Sequence, residues 1–345
     1  MTSRATSSSM VLPNREGTPM QAIVYTEYGP PSVLKLNEVE TPTPGDKEVL
    51  IRVHAAGANA GDRLLLRGTP FMIRFTSGLR KPKHQILGAD VAGQITAVGR
   101  NVTQYQPGDE VFGDLSGSGY GAFAEYVAAP EQAVVRKPAR MTFEQAAAVP
   151  SAALTALQAV REAQLQPGQK VLVNGAAGGV GTFAVQIARA LGATVTAVCS
   201  TRNMDMVRSI GAEEVIDYTQ EDYTRTGRRY DVILDAAAFR PLPDNQRVLA
   251  PGGVYVLIGG SGSQFLNVML TGQWRSMTSG QRFRGFVKQA TQQNLTFVKE
   301  LLEAGSVVPV IDRWYPLCEV PEAMGYLEAG HARGKVVITM DPARI

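Results

Sequence analysis

The chain has 345 residues, of which 44% are hydrophobic and 19% charged, and its formal net charge is +3. This length suits about two domains of roughly 150 residues each, and the composition is that of a globular protein with a buried core. So small a net charge, carried by scattered basic residues, argues against a nucleic-acid-binding surface. No apolar run approaches the roughly 18 residues that span a bilayer, so we predict no membrane partner.

Two features of the sequence bear on where the protein resides. Its cysteines, Cys199 and Cys318, are too few for a disulfide framework or a four-thiolate zinc lobe, so we predict a reducing, cytoplasmic environment. Residues 1–19 are rich in Ser and Thr and contain no hydrophobic core of a signal peptide. We predict that they form a disordered leader, with an organelle-targeting segment as the alternative.

From residue 20 onward the predicted elements are first mainly strands and then alternate between strands and helices. Strand-like runs at 49–53, 111–112 and 123–127 are separated by breaks that contain Gly and Pro. Helical patterns then alternate with short apolar strands, which predicts βαβ units and a parallel sheet. These later strands are expected at 171–174, 195–199, 215–217, 232–235, 254–258 and, after a helix through Leu295 and Leu302, at 335–339.

The order of these elements predicts how the domains are arranged. We expect an α/β protein in which a doubly wound parallel sheet, residues 149–288, is inserted into a β-rich domain. Residues 20–148 would form the first part of that β-rich domain, and residues 289–345 would return to it. The sequence contains no internal repeat.

A glycine-rich loop is the sharpest local feature. Gly175-Ala176-Ala177-Gly178-Gly179-Val180-Gly181 follows the strand 171–174 and opens a predicted helix from Thr182 to Leu191. Glycines there let the backbone approach a pyrophosphate, which the helix N-terminus stabilises. Ala176 replaces the first glycine of the dinucleotide fingerprint, while Gly178 and Gly181 are kept. The loop predicts dinucleotide binding; the alternative is a turn whose glycines serve packing alone.

The residues after the second strand of this unit predict which dinucleotide binds. An NAD site has an acidic residue about 20 positions after the glycines, yet no Asp or Glu occurs from Thr182 to Met204. Ser200, Thr201 and Arg202 stand there instead and can donate hydrogen bonds to a 2′-phosphate. We therefore predict NADPH. The alternatives are a solvated Arg202 and, for Asn203, an N-cap of the helix that begins at Met204.

Several spaced motifs resemble those of the medium-chain dehydrogenases/reductases, in particular their zinc-free branch similar to quinone oxidoreductase. The resemblance covers nearly the whole chain from Met20 and implies a GroES-like catalytic domain, a Rossmann domain and an active site in the cleft between them. It also implies a homodimer, with sheets joined through an edge near residues 254–258. The motifs are Leu87 to Gly93, Val98-Gly99, Pro107 to Gly113, Ala176 to Gly181, Ser200 to Asn203, Asp217-Tyr218 and Gly334-Lys335-Val336.

The resemblance assigns further residues to the cofactor site. It implies that Thr155 lies near the cofactor, that Tyr218 lines its adenosine end and that Leu257-Ile258-Gly259 borders the nicotinamide. Lys335 would approach from the C-terminal segment. Each has an alternative interpretation: Thr155 as a helix residue that bonds back to its own helix, Tyr218 as a packing aromatic and Lys335 as a solvated charge.

Metal ligands are missing where zinc-dependent relatives need them. The resemblance aligns the ligand cysteine with Asn59 and the Gly-His-Glu segment with Gly88-Ala89-Asp90, so we predict no metal. His54, in a strand pattern, is interpreted as structural.

We hypothesise transfer of a hydride from NADPH to a quinone or to the C=C bond of an α,β-unsaturated carbonyl, because hydrogen-bond donors can stabilise the resulting anion. Asn59 and Asp62 are the candidate catalytic residues; the alternative is a turn in which both side chains bind backbone amides. No proton donor is identified, since Phe71 stands where some relatives have a tyrosine. Alternative functions are a 2-enoyl thioester reductase and an NADPH-binding protein with little turnover.

Overall fold

A computed structural model describes residues 17–260 and 262–340, and the predicted leader lies outside them except for residues 17–19. The strands in chain order are β1 (Pro19–Val24), β2 (Lys35–Glu40), β3 (Glu48–Ala58), β4 (Asp90–Val98), β5 (Glu110–Asp114), β6 (Tyr126–Pro130), β7 (Val134–Arg136), β8 (Lys170–Asn174), β9 (Thr194–Cys199), β10 (Glu214–Asp217), β11 (Tyr230–Asp235), β12 (Leu249–Leu257), β13 (Arg282–Gly285), β14 (Ile311–Pro316) and β15 (Lys335–Thr339). The α-helices are α1 (Ala60–Arg67), α2 (Arg74–Ser77), α3 (Phe143–Ala147), α4 (Pro150–Ala163), α5 (Gly179–Ala190), α6 (Met204–Ser209), α7 (Leu242–Val248), α8 (Gly262–Ser279), α9 (Gln292–Glu303) and α10 (Val320–Glu328). No helix within 17–260 and 262–340 is long and apolar enough to cross a membrane.

The middle of the chain forms a six-stranded sheet in the order β10-β9-β8-β11-β12-β13. Every pair in it is parallel. Counted from β8, this is the strand order 3-2-1-4-5-6 of a doubly wound dinucleotide-binding sheet. The order reverses between β8 and β11, and ligands of such sheets bind at that point, outside the carboxyl ends of the strands.

The two ends of the chain share a second sheet. Its order is β14-β15-β3-β4-β5-β7, with β6 also paired to β3. The pair β14–β15 is parallel, whereas β15–β3 and β3–β4 are antiparallel. Strands from before and after the parallel sheet therefore lie side by side, which confirms the predicted insertion of a Rossmann unit into a GroES-like β-rich unit. The boundaries at 148/149 and 288/289 stay predictions.

Burial explains why the sequence folds this way. Residues 171–173 of β8 and 232–234 of β11 are fully buried, as expected of parallel strands that are covered on both faces. One core packs α4 and α5 against the parallel sheet and also contains Ala55, Phe112 and Val337 of the other sheet. A continuous apolar core thus joins the two units.

The sequence patterns missed several elements, among them β1, β2, β4 and β7, and one predicted strand is displaced. The strand expected at 123–127 begins only at Tyr126. The patterns gave no sign of α8, β13 or β14; β13 carries Arg282 and Arg284 and has a single buried residue, Phe283, too little for an apolar run. Because β13 pairs with β12, residues 254–258 are not a sheet edge as expected, and the edge lies at β13.

Candidate active site

The glycine-rich loop lies at the carboxyl end of β8, where the doubly wound sheet reverses its order. Gly175 has φ +78°, and a Cβ at Gly181 would lie 2.1 Å from the Gly175 carbonyl oxygen. Packing therefore requires these two glycines. A Cβ at Gly178 would meet its nearest neighbouring atom only at 3.5 Å, so internal packing does not explain a glycine there. Gly178 immediately precedes α5, whose free amides and dipole favour an anion. The loop fits a pyrophosphate.

The C-terminal segment reaches this loop. The Gly334 amide donates to the Ala177 carbonyl at 2.9 Å, and a Cβ at Gly179 would lie 3.2 Å from Lys335 Cδ. Lys335 is only 3% exposed, which rules out the interpretation as a solvated charge. Strand β15 thus carries a buried ammonium group to the N-terminus of α5.

Lys335 is held in a buried polar cluster that contains one of the candidate catalytic residues. Its Nζ donates to Asp90 Oδ2 and to the Ala58 carbonyl, each at 3.2 Å, and to Asn59 Oδ1. Asn59 Nδ2 in turn donates to Asp90 Oδ2 at 3.0 Å and to the Gly57 carbonyl at 3.1 Å. Asn59 and Lys335 are therefore fixed beside the glycine loop by one carboxylate.

Asp62, the second candidate catalytic residue, binds backbone amides with both carboxylate oxygens. Oδ2 accepts from the Asn59 amide at 2.9 Å and Oδ1 from the Gly88 amide at 3.2 Å. Burial raises the pKa of Asp62 to about 7, and the nearby Asp90 carboxylate adds to the rise. These contacts are those of the turn considered as the alternative, and they make Asp62 a residue that positions Asn59.

A second polar cluster, which the sequence patterns did not reveal, continues from Asp90. The Ser151 amide donates to Asp90 Oδ1 at 2.7 Å, and Ser151 Oγ donates to Asp114 Oδ2 at 2.9 Å. Lys288, which follows β13, donates to Ser151 Oγ at 2.9 Å and pairs with Asp114. Burial opposes the charge of Asp114, yet the Lys288 ammonium and the hydrogen bonds from Ser116 together lower the pKa of Asp114. No motif links these positions, which are far apart in sequence.

The residues expected at the 2′-phosphate follow β9. Arg202 Nη2 donates to the His331 carbonyl at 3.1 Å, and Arg333 Nη2 donates to the Arg202 carbonyl at 3.2 Å. The structure thus brings a second guanidinium group, which sequence reasoning missed, beside the first. Asn203 Nδ2 donates to Ser200 Oγ at 3.2 Å. The Asn203 side chain makes no capping hydrogen bond to the helix that follows it.

A carboxylate also lies at this end of the site. Thr201 Oγ1 donates to Asp217 Oδ2, and that hydrogen bond lowers the pKa of Asp217. Tyr218 follows Asp217, is 46% exposed and has its ring 5.7 Å from that of Phe239. The hydroxyl of Thr201 is therefore engaged, whereas the Tyr218 side chain is partly exposed.

The remaining predicted cofactor residues follow β12 or lie on α4 and α5. The amides of Ile258 and Gly259 donate to the Asp235 carbonyl at 2.9 and 3.2 Å, and a Cβ at Gly259 would lie 2.4 Å from the Ala236 carbonyl oxygen. Val180 lies in the first turn of α5. Thr155 Oγ1 donates to the Ser151 carbonyl at 2.7 Å within α4, which is the back-bonding alternative.

No metal centre is evident in the residues that the structure describes: none of them form a group of three or more His, Cys, Asp or Glu suited to holding an ion. Asn59 and Ala89 occupy the positions aligned with zinc ligands. His54 stacks on Phe143 with ring centroids 4.2 Å apart, as expected of a structural residue.

A doubly wound sheet with a glycine cradle, facing a buried lysine from a GroES-like unit, defines a nicotinamide-dependent oxidoreductase. Residues 45–139 match the alcohol dehydrogenase GroES-like domain and residues 210–338 match the zinc-binding dehydrogenase family. Human quinone oxidoreductase is 33% identical over 332 residues, which cover 93% of this chain and 98% of that protein.

Two further comparisons agree. The chloroplastic NADPH-dependent alkenal/one oxidoreductase of Arabidopsis thaliana is 33% identical over 330 residues, covering 92% of this chain and 79% of that protein. The structure of the quinone oxidoreductase from Coxiella burnetii superposes with a TM-score of 0.84 at 30% identity, covering 94% of this chain and all of that one. The chain belongs to the medium-chain dehydrogenase/reductase family, on its zinc-independent branch similar to quinone oxidoreductase.

Proposed function

We propose that the protein is an NADPH-dependent reductase of quinones or of the C=C bond of α,β-unsaturated carbonyls. The observation that carries the proposal is the Lys335–Asn59–Asp90 cluster beside Gly178 and Gly179, because it joins a pyrophosphate cradle to buried hydrogen-bond donors. NADPH, when bound, supplies the hydride. The names of the quinone and alkenal/one oxidoreductase relatives support this class of acceptor.

The residues of the chain are proposed to act as follows. Glycines 178, 179 and 181 with Val180, and the backbone at Ile258 and Gly259, hold the cofactor; Thr155 and Lys335 contact it from α4 and β15. Asn59 Nδ2 gives up its bond to the Gly57 carbonyl and donates instead to the substrate oxygen, where negative charge develops as the double bond is reduced. Asp90 fixes Asn59 and Lys335 in place, and Asp62 fixes the turn that carries Asn59.

Preference for NADPH over NADH is proposed to come from Ser200, Arg202 and Arg333, with Tyr218 at the adenosine end. Guanidinium groups bind phosphate in a bidentate manner that a neutral hydroxyl cannot match. Asp217 opposes this preference, but Thr201 already donates to its carboxylate. The two arginines therefore leave the local charge positive.

We also propose a cytoplasmic homodimer that binds a small-molecule acceptor and no nucleic acid. Within the described residues β13 pairs only with β12, so β13 is the free edge of the parallel sheet. An unpaired edge strand is a template for pairing with a second copy, and we assign the dimer contact to this strand.

The test follows the oxidation of NADPH and NADH with quinones, enals, enones and an enoyl-CoA as acceptors, with and without chelator. We expect turnover of quinones or enones, preference for NADPH and no effect of chelator. Preference for enoyl-CoA would favour the 2-enoyl thioester reductase, and NADPH binding without consumption of any acceptor would favour the low-turnover binding protein. Loss of activity with chelator would contradict the assignment.

Matched arginine variants test the cofactor preference. Arg202→Glu should weaken NADPH binding by about tenfold or more, since a hydrogen bond to a charged group contributes about 1.5–3 kcal/mol, and should leave NADH binding nearly unchanged. Arg208→Glu is the control, because Arg208 lies on the following helix and pairs with Asp205 on the surface. Equal effects of the two substitutions, measured by cofactor fluorescence, would remove Arg202 from the 2′-phosphate site.

A further inference from the structure

The segment between α1 and β4 concentrates exposed apolar side chains. Among the residues whose exposure the structure describes, twelve large apolar or aromatic side chains are exposed, and four of them fall within 71–79. These are Phe71, Met72, Phe75 and Leu79, exposed by 58, 72, 66 and 54%. Single exposed apolar residues need no explanation, but a local concentration marks an interaction site.

The segment that carries these four side chains is held against the rest of the protein by its inner face. Phe71 and Phe75 are one helical turn apart, with ring centroids 5.7 Å apart and nearly perpendicular planes. On the opposite face Ser77 is buried, and the Tyr28 hydroxyl donates to the Gly78 carbonyl at 2.5 Å. Arg74 is also turned inward, with Nε donating to the Gly68 carbonyl at 3.0 Å. These inward contacts leave the four apolar side chains on the solvent-exposed side of the segment.

The charge next to this face has one sign. From Arg63 to Ala89 the sequence has six Lys and Arg residues and no Asp or Glu. Arg80, Lys81 and Lys83 are exposed, and none of the ion pairs formed by the described residues involves them. The four apolar residues and these three cations are called the basic-apolar surface below.

We propose that the basic-apolar surface docks the protein on the surface of an anionic lipid bilayer. Aromatic and aliphatic side chains enter the headgroup region while neighbouring Lys and Arg contact anionic lipids. A second copy fits this surface less well, because a symmetric contact of this face would bring six cations together, while residues 63–89 contain no Asp or Glu to pair with them. Such docking needs no spanning segment, and it revises the prediction from the sequence that the protein has no membrane partner.

Docking would also orient the cleft. The segment leaves α1, whose first turn carries Asp62, and returns to β4 at Asp90. Both of its stems therefore lead to the polar clusters of the candidate site. An α1 of eight residues is about 12 Å long, so the bilayer surface would lie close to the entrance used by apolar acceptors. The docking itself does not depend on the proposed reaction.

The experiment is cosedimentation of the full-length protein with phosphatidylcholine vesicles and with the same vesicles containing phosphatidylglycerol. Each Lys or Arg near an anionic surface contributes about fivefold in affinity, so the three cations should give about a hundredfold preference for the anionic vesicles. Raising the salt concentration should abolish this preference because charges are screened. If the unmodified protein binds both kinds of vesicle equally, or binds neither, the proposal is overturned, and no variant is needed for this result.

Two variants and a matched control locate the surface. Phe71→Ser with Met72→Ser and Phe75→Ser should abolish binding. Arg80→Glu with Lys81→Glu and Lys83→Glu should reduce it by at least about a hundredfold. The control, Lys35→Glu with Lys47→Glu and Arg140→Glu, makes the same change of charge at exposed positions elsewhere.

The outcomes separate the bilayer from other occupants. Retained binding in the basic-apolar variants, or equal loss in the control, would overturn the proposal. A third result would also overturn it: the unmodified protein does not bind vesicles, and the Phe71, Met72 and Phe75 variant changes its oligomeric state in sedimentation velocity. The surface would then be a contact between copies. Hydrogen exchange of the unmodified protein should show protection of 71–83 with anionic vesicles only; protection elsewhere would assign docking to another surface.

Discussion

Replacing Lys335 with methionine tests the buried cluster at the centre of the candidate site. Lys335 and Asp90 have side chains that are 3% and 0% exposed, and their Nζ–Oδ2 distance is 3.2 Å. Methionine fills much of the same space without the charge. Lys335→Met therefore leaves the Asp90 carboxylate buried without its cation, and the loss should appear in the stability of the cofactor-free protein.

The magnitude follows from what remains around Asp90. Removing one partner of a buried ion pair costs about 3–5 kcal/mol. Asp90 keeps two donors, the Ser151 amide at 2.7 Å and Asn59 Nδ2 at 3.0 Å, so we expect a loss near the lower limit, about 3 kcal/mol. Asp90→Asn combined with Lys335→Met removes both charges. The free energy of unfolding lost in this double variant should be about 2 kcal/mol smaller than the sum of the losses in the two single variants.

Urea unfolding of the cofactor-free variants measures these free energies. Lys137→Met is the matched control, because the Lys137 side chain is also buried, 4% exposed, but its partner Glu110 is 48% exposed and can be solvated. We expect the control to lose clearly less stability than Lys335→Met. Equal losses in the two lysine variants, or additive effects of Asp90→Asn and Lys335→Met, would refute the account of the cluster as a coupled ion pair.

Three further predictions concern the loop, the turn and the parallel sheet. Gly181→Ala would place its Cβ 2.1 Å from the Gly175 carbonyl oxygen and should abolish cofactor binding, measured by NADPH fluorescence; retained affinity would show that the loop can move aside. Asp62 has a pKa raised from 3.8 to about 7 by burial, so its contribution to folding stability is full below about pH 4 and is lost as the pH rises through 7, by about 4 kcal/mol at 1.36 kcal/mol per pH unit. Asp62→Asn should flatten that decline in urea unfolding, and an unchanged slope would contradict the shift. Tyr255→Phe removes the hydroxyl that donates to Asp235 Oδ2 at 2.8 Å and should cost about 2 kcal/mol, whereas a loss under about 0.5 kcal/mol would show that this bond is replaceable.

The parallel sheet was predictable because its strands are short apolar runs set between helical patterns. Its strands β8 to β11 begin within two residues of their expected ranges. Strand β15 of the other sheet matches the expected range 335–339. β13 could not be found in this way, since its hydrogen bonds to β12, rather than its own side chains, make it a strand. An edge strand gains little from apolar burial and leaves a weak pattern in the sequence.

The candidate site was predictable only where a local motif or the family resemblance singled out a residue. Gly178 and Gly181 lie in a motif, and Lys335 and Asn59 lie in segments that the resemblance aligns. Asp90 lay within such a segment too, but its role depends on donors from Asn59 before α1, from α4 and from β15. Strand pairing in one sheet and the contact of α4 with that sheet bring these donors together.

Burial also decided between interpretations that the sequence left open. A lysine is usually solvated, yet Lys335 is 3% exposed, and β15 has a neighbouring strand on each side, β14 and β3. Asp62, in contrast, accepts backbone amides with both carboxylate oxygens and is 1% exposed. If Asn59→Ala lowers kcat strongly while Asp62→Asn acts chiefly on stability and KM, the division between a catalytic and a positioning residue holds. Equal losses of kcat in both would place Asp62 in the reaction itself.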